Sequence, residues 1–203
     1  MSETVADRGK DRALGAKGEA TRQRLMDAAE EIFGTKGFYH TSVGDITAKA
    51  GVAQGTFYLY FPTKVDIFRA LVEHLSHVLR TETEVATQGA RDRLEAERLG
   101  IDAFFKFVHR HRNLYRIVRQ AEFVDEALYK WYYERMARGY ARKLQDAMQR
   151  GEIRTMDPDL LAWCLMGISD YTGMRYILWK EENQADAAKL LDFLTAGLAP
   201  EKG

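Results

Sequence analysis

Apolar residues recur at three- and four-residue spacing along most of the chain, a pattern that predicts an all-α protein. A first helix is expected over about residues 21–33, with Leu25, Ala28, Ala29, Ile32 and Phe33 on one side and Gly34 and Gly37 stopping it. Ser42 and Asp45 form a capping-box pattern for a second, short helix whose inner side is Val43, Ile46 and Ala50, ended by Gly51. A third begins near Gln54 and closes before Pro62. Thr63 and Asp66 make a second capping-box pattern that opens a long fourth helix, striped by Phe68, Leu71, Val72, Leu75, Val78 and Leu79 and running to about Gln88. At the usual helical rise this rod is on the order of 35 Å long.

Gly89 marks the break after it, and further helices are expected over about 94–110, 114–120 and 125–150. Asp157 then caps a helix with Pro158 in its first position, in which Leu161, Trp163, Leu165, Ile168, Tyr171, Met174 and Ile177 nearly encircle the axis. A last helix spans about 185–198, with Leu190, Leu191 and Leu194 on one face. Three parts follow: an N-terminal arm over 1–20, a three-helix unit over 21–66, and a helical remainder over 67–203.

The segment from Thr41 to Lys64 places two short helices around Gly51, with Ile46, Val52 and Phe57 able to meet beneath the corner. Gln54, Gly55, Thr56, Tyr58 and Tyr60 then point outward on an element too short to be stable alone, a choice that a recognition surface explains. Glutamine can bond adenine through two atoms, threonine can set a methyl against thymine, and Gly55 lets the backbone approach the groove. Tyrosine hydroxyls suit phosphate oxygens, and Lys64 adds its charge to the free amides of the long helix. Phe57 and Phe61 are assigned to the core by their spacing.

Net charge neither supports nor opposes this reading, because 30 Lys and Arg balance 30 Asp and Glu. Positive charge is local instead: Arg8, Lys10, Arg12, Lys17, Arg22 and Arg24 stand ready for backbone or minor-groove contact. A single cysteine, Cys164, rules out an internal disulfide, and the apolar run near it is too short to span a bilayer, so a cytoplasmic protein is expected.

Residues 21–64, with their Ala-Gly-Val turn and Gly-Thr-Phe-Tyr-Leu-Tyr-Phe recognition segment, closely resemble the DNA-binding domain of the TetR family of transcriptional regulators. The resemblance continues through Asp66, Ile67 and Phe68 and then fades. It departs from the family at Thr47, where alanine is commoner and eases close helix packing. It implies that Thr41, Gln54, Thr56, Tyr58, Tyr60 and Lys64 touch operator DNA. It also implies a homodimer joined through the last two helices, reading a palindromic operator, and a C-terminal domain that takes a small-molecule effector and releases DNA. A ligand-dependent activator of the same fold is the alternative.

Aromatic residues suited to an apolar ligand are Phe104, Phe105, Val108, Tyr115, Trp131, Tyr132, Tyr140, Trp163, Tyr171 and Trp179, although such stripes more often serve packing. His109, Arg110, His111 and Arg112, followed by Arg116 and Arg119, gather cations that could hold a phosphate or carboxylate. With the Tyr-Arg-Ile-Val-Arg-Gln-Ala-Glu-Phe run that follows, this region is similar to that of TetR-type regulators sensing acyl-coenzyme A thioesters; another apolar or aromatic anion is also admissible. Enzymatic readings are poor. His109 and His111 diverge around a helix and suit no shared metal, Cys164 has no adjacent base, and no phosphate-cradling glycine loop occurs, so neither catalysis, metal nor cofactor is expected.

Overall fold

A computed structural model describes residues 15–179 and 187–200. Among them the elements are α1 (Ala16–Lys36), α2 (Val43–Ala50), α3 (Gln54–Phe57), α4 (Lys64–Thr87), α5 (Arg93–Arg110), α6 (Arg112–Val124), α7 (Glu126–Gln149), α8 (Pro158–Gly173) and α9 (Ala187–Leu198), with no strand. The fold is all-α. A π-helical turn, Met174–Leu178, continues α8.

The local rules act where they were expected to act. Ser42 Oγ accepts the Asp45 amide at 3.0 Å while the Asp45 carboxylate accepts the Ser42 amide at 2.8 Å, so two orphan donors are satisfied reciprocally. Gly51 ends α2 at φ +65°, a left-handed conformation that glycine adopts without steric cost. At Thr63 only half of the box forms: its hydroxyl accepts the Asp66 amide at 3.2 Å and donates back to the Asp66 carboxylate at 2.6 Å. Asp125 and Asp157 cap α7 and α8 through their carboxylates.

Boundaries differ at both ends. The first helix begins at Ala16 rather than near Thr21, so the expected arm of residues 1–20 is helical over its last part, where Ala16 and Ala20 favour helix. Residues 1–14, including Arg8, Lys10 and Arg12, lie outside the described residues, as does the expected start of the last helix at Ala185. α6 extends through Val124, beyond the expected end near residue 120.

Two apolar cores organise the chain. The larger contains Leu25 and Phe33 of α1, Ile46, Phe57, and Phe68 and Leu71 of α4, and it continues without a gap into Phe107, Val108, Ile117, Val118 and Leu128. Phe33, Phe38 and Phe68 meet there with ring centroids 5.1–5.5 Å apart. The N-terminal three-helix unit is therefore welded to α4 and α6. The smaller core joins Ile101, Leu144, Leu161, Leu165, Leu194 and Leu198 at the far end of the molecule.

The weld between α1 and α6 depends on close approach. A Cβ on Gly34 would collide with the side chain of Asn113, so glycine lets the two helices touch. Thr47 is buried and donates to the Gly44 carbonyl at 3.1 Å, so the hydroxyl introduced by this departure from alanine is satisfied within its own helix.

Candidate nucleic-acid interface and effector cavity

Phe57 and Phe61 are buried and anchor the short α3 turn from below. Gln54, Gly55, Tyr58 and Leu59 are exposed above them, with Thr56 half-exposed between. An added Cβ on Gly55 would meet no atom within 4 Å, so this strip of backbone is open to a groove. Leu59 is 80 % exposed and was not singled out from sequence, where it reads as a core leucine; in this position it suits a thymine methyl. Tyr60 is half-buried, with its ring against the core.

Two expected DNA contacts are placed differently. Thr41 is buried and its hydroxyl donates to the Gly37 carbonyl at 2.7 Å, while Lys64 turns inward and donates to the carbonyls of Phe38 and Thr41 at 2.8 and 2.7 Å. The Lys64 ammonium also lies 4.1 Å from the centre of the Phe38 ring, and its partial burial lowers its pKa. These side chains brace the α1–α2 turn, because that turn's carbonyls have no helical partners and the lysine amine supplies them. Among the basic residues preceding it, Arg22 pairs with Glu19 at 3.9 Å and lies over Phe61.

A cavity of about 310 Å³ runs beside α5 from Arg93 to His111, walled by α4, α6, α7 and α8. Its size is at the lower end of ligand sites. Ile101, Phe104, Phe107, Val108, Met136 and Met166 supply an apolar middle. At the end nearer the recognition unit, the Tyr115 hydroxyl donates to the Asp170 backbone carbonyl at 2.6 Å and Arg119 lies 3.6 Å from the Asp170 carboxylate. Burial raises the pKa of Asp170 against the lowering effects of Tyr115 and Arg119, and burial likewise raises Tyr115, Tyr132 and Tyr133. At the other end Arg93 and Glu97 form a buried ion pair, and the Tyr140 hydroxyl donates to the same carboxylate. Arg80, Arg142 and Lys143 edge the cavity, the last two exposed.

Of the expected ligand residues, Tyr115, Arg119 and Tyr132 line this cavity, together with Phe104, Val108 and Tyr140. The rest do not. Phe105 packs on the smaller core, His109 is exposed, Trp131 packs on the larger core under Arg135, and Trp163, Tyr171 and Trp179 face outward. The basic cluster splits because the backbone leaves the helix at His111 (φ −115°, ψ 51°), which resets the helical phase. Arg110 then pairs with Glu82, Arg112 donates to the Leu178 carbonyl at 3.2 Å, and Arg116 donates to the Gly34 carbonyl at 3.3 Å. Only His111 and Arg119 of that run reach the cavity wall. Arg93, Glu97 and Asp170 were not expected there, since an i,i+4 Arg–Glu pair reads as a surface feature. Among the described residues no group of three His, Cys, Asp or Glu is placed to hold a metal ion, and no helix is long and apolar enough to cross a membrane.

A three-helix unit with an exposed recognition turn, welded to a helical body that encloses a cavity, defines a ligand-responsive helix-turn-helix regulator. Residues 25–71 match the family described as bacterial regulatory proteins, tetR family. It is 27 % identical to the HTH-type transcriptional regulator YdgC of Bacillus subtilis over 194 residues, 93 % of this chain and 97 % of that protein. It is 28 % identical to the fatty acid metabolism regulator protein of Bacillus subtilis over 186 residues, 86 % and 94 % of the two chains. In structure it resembles the transcriptional regulator FadR from Bacillus subtilis in complex with stearoyl-CoA, with a TM-score of 0.77, 24 % identity, and 86 % of this chain and 98 % of that chain covered. That last likeness is one of fold. The chain is a transcriptional regulator and not an enzyme.

Proposed function

We propose that the protein is a homodimeric repressor that grips a palindromic operator through Gln54, Gly55, Thr56 and Tyr58, with Tyr60 at the edge, and lets go when an acyl thioester enters the cavity. Two recognition turns related by two-fold symmetry would then fall about one DNA turn, roughly 34 Å, apart or a multiple of it. The dimer face is the outer side of α8 and α9, where Leu160, Trp163, Tyr171 and Phe193 leave a large apolar surface bare. An acyl chain suits the apolar middle of the cavity, and Arg80, Arg142 and Lys143 at its edge suit the phosphates of a coenzyme A headgroup. The similarity to a protein named a fatty acid metabolism regulator supports an acyl effector.

One observation carries this reading: α6 serves cavity and recognition unit at once. Tyr115, Val118 and Arg119 line the cavity, whereas Arg116 and Gln120, on the other side of the same helix, bond the end of α1. A ligand that fits only one position of α6 shifts the spacing of the two recognition turns, and its differential affinity for the two positions sets how far the equilibrium moves. The test is fluorescence anisotropy of the DNA upstream of its own gene, with a salt series and with or without medium- and long-chain acyl-CoA. Sequence-specific binding that weakens at least tenfold with acyl-CoA is expected; operator affinity that ignores every thioester removes the effector assignment.

A further inference from the structure

The Arg93–Glu97–Tyr140 cluster stands on the cavity wall at the end away from the recognition unit. Arg93 and Glu97 are 9 % and 2 % exposed, and among the described residues theirs is the ion pair in which both side chains are buried. Such pairs add little stability, because desolvation offsets their attraction, and a pair of apolar side chains would fill the same space as well or better. All three residues line the cavity.

Their bonding leaves capacity over. Arg93 reaches Glu97 through Nε, at 2.6 Å, and through Nη2, which leaves the Nη1 donors over. Both of those bonds end on Glu97 Oε1, and Tyr140 donates to Oε2. A carboxylate offers about four acceptor positions, so Oε2 can take one more donor. The cluster therefore presents a donor and an acceptor side by side on the cavity wall. A methylene can use neither and a carbonyl can use only the donor. A hydroxyl uses both.

We infer that Arg93 and Glu97 are specificity residues that select an acyl group bearing a hydroxyl over the saturated chain of equal length. The inference rests on the acyl reading proposed above, and the free-acid arm of the experiment separates the two.

The probes are decanoyl and 3-hydroxydecanoyl groups, each as the coenzyme A thioester and as the free acid, titrated calorimetrically into the full-length protein. The hydroxylated member of a pair is expected to bind on the order of tenfold or more tighter, because an unpaired polar group in the site penalises the analogue that lacks the hydroxyl. In Arg93→Met/Glu97→Leu, whose apolar replacements keep the volume and whose melting temperature checks the fold, the preference disappears. In Tyr140→Phe the preference widens, since the carboxylate loses a donor that only the hydroxylated ligand can replace. A purely structural cluster would change both affinities together in both variants. Discrimination among the free acids with no binding of either thioester upholds the hydroxyl site and rejects the thioester effector. Equal or better binding of the saturated partner in the native protein, or no binding by any of the four probes, overturns the inference.

Discussion

Gln120 clasps Phe38: its Oε1 accepts the Phe38 backbone amide at 2.6 Å, and its Nε2 donates to the Phe33 carbonyl at 3.1 Å on the other side of the same turn. One amide side chain thus satisfies the Phe38 donor just past the end of α1 and adds a second bond to the Phe33 carbonyl, which also accepts the Gly37 amide at 3.1 Å. Because Gln120 sits on the helix that also carries Tyr115 and Arg119 into the cavity, this clasp ties the cavity wall to the turn after α1.

Gln120→Leu keeps the side chain's bulk but leaves the Phe38 amide without its partner, while the Phe33 carbonyl keeps the Gly37 amide. A part-buried group left unpaired costs about 1–3 kcal/mol, so a drop in melting temperature is expected. The more telling readout is the ratio of operator affinities without and with acyl-CoA, which should fall towards one as α6 loses its hold on α1. A variant that melts lower yet keeps the full ratio would place the coupling elsewhere.

The recognition turn should separate grip from stability. Thr56→Ala and Tyr58→Phe remove outward-facing atoms and are expected to weaken operator binding by about 1–3 kcal/mol with little change in melting temperature. Phe57→Ala empties a fully buried site and should cost about 3–5 kcal/mol of stability. Lys64→Met also belongs to the stability class, because its ammonium is bound to Phe38 and Thr41. Its effect should appear in thermal melts, with a salt slope of DNA binding close to that of the native protein.

How much of this was legible in the sequence depended on how local the governing rule was. The Ser42–Asp45 box, the left-handed Gly51 and the burial of Phe57 follow from neighbours a few positions away, and each is where its pattern put it. Thr41 and Lys64 were misplaced because their partners are loop carbonyls, one of them 26 residues distant, whose orientation no periodicity encodes. The cation cluster from His109 to Arg119 was misread for a related cause: a one-residue break at His111 turned neighbours in sequence towards Glu82, Leu178, Gly34 and the cavity. Arg93 and Glu97 gave the pattern of a solvated i,i+4 pair, and only the closure of α7 over them buries it.

Acid should loosen α2 in a defined window. Bonds from the Ser42 hydroxyl and amide, aided by Lys36, hold the Asp45 carboxyl down at about 2. A depressed acid contributes stability above its unfolded pKa, near 3.8, and loses that contribution as pH falls through its folded value. Between about pH 4 and pH 2 the native protein should therefore lose stability faster than Asp45→Asn, whose uncharged side chain does not titrate there. Thermal melts of both proteins across that window make the comparison.

Gly139 lines the cavity from the middle of α7, and a Cβ there would meet no atom within 4 Å. Helical glycine costs about 1 kcal/mol relative to alanine, so Gly139→Ala should raise the melting temperature without a steric penalty. Gly139→Leu adds bulk at the same point of the wall. It is expected to retain operator binding while weakening acyl-CoA binding several-fold, read by calorimetry.

The proposed dimer face admits a test by magnitude. Leu160 and Phe193, on α8 and α9, are 56 % and 70 % exposed, and burying a leucine or phenylalanine fully contributes about 1.5–3 kcal/mol. Two-fold symmetry counts every substitution twice. One aspartate at either position should therefore weaken dimerisation by roughly 3–6 kcal/mol, on the order of a hundred- to ten-thousandfold. Leu160→Asp is the cleaner choice, because an acidic residue in the first turn of a helix favours the helix itself and leaves association as the term that changes. Sedimentation velocity should find a monomer at micromolar concentration, and operator affinity should fall with it, since a single recognition turn covers half a site. Val85→Asp replaces a comparably exposed residue, 64 %, on α4 and should leave the mass of a dimer intact. If Leu160→Asp sediments as the native protein does, the bare face of α8 joins no second copy.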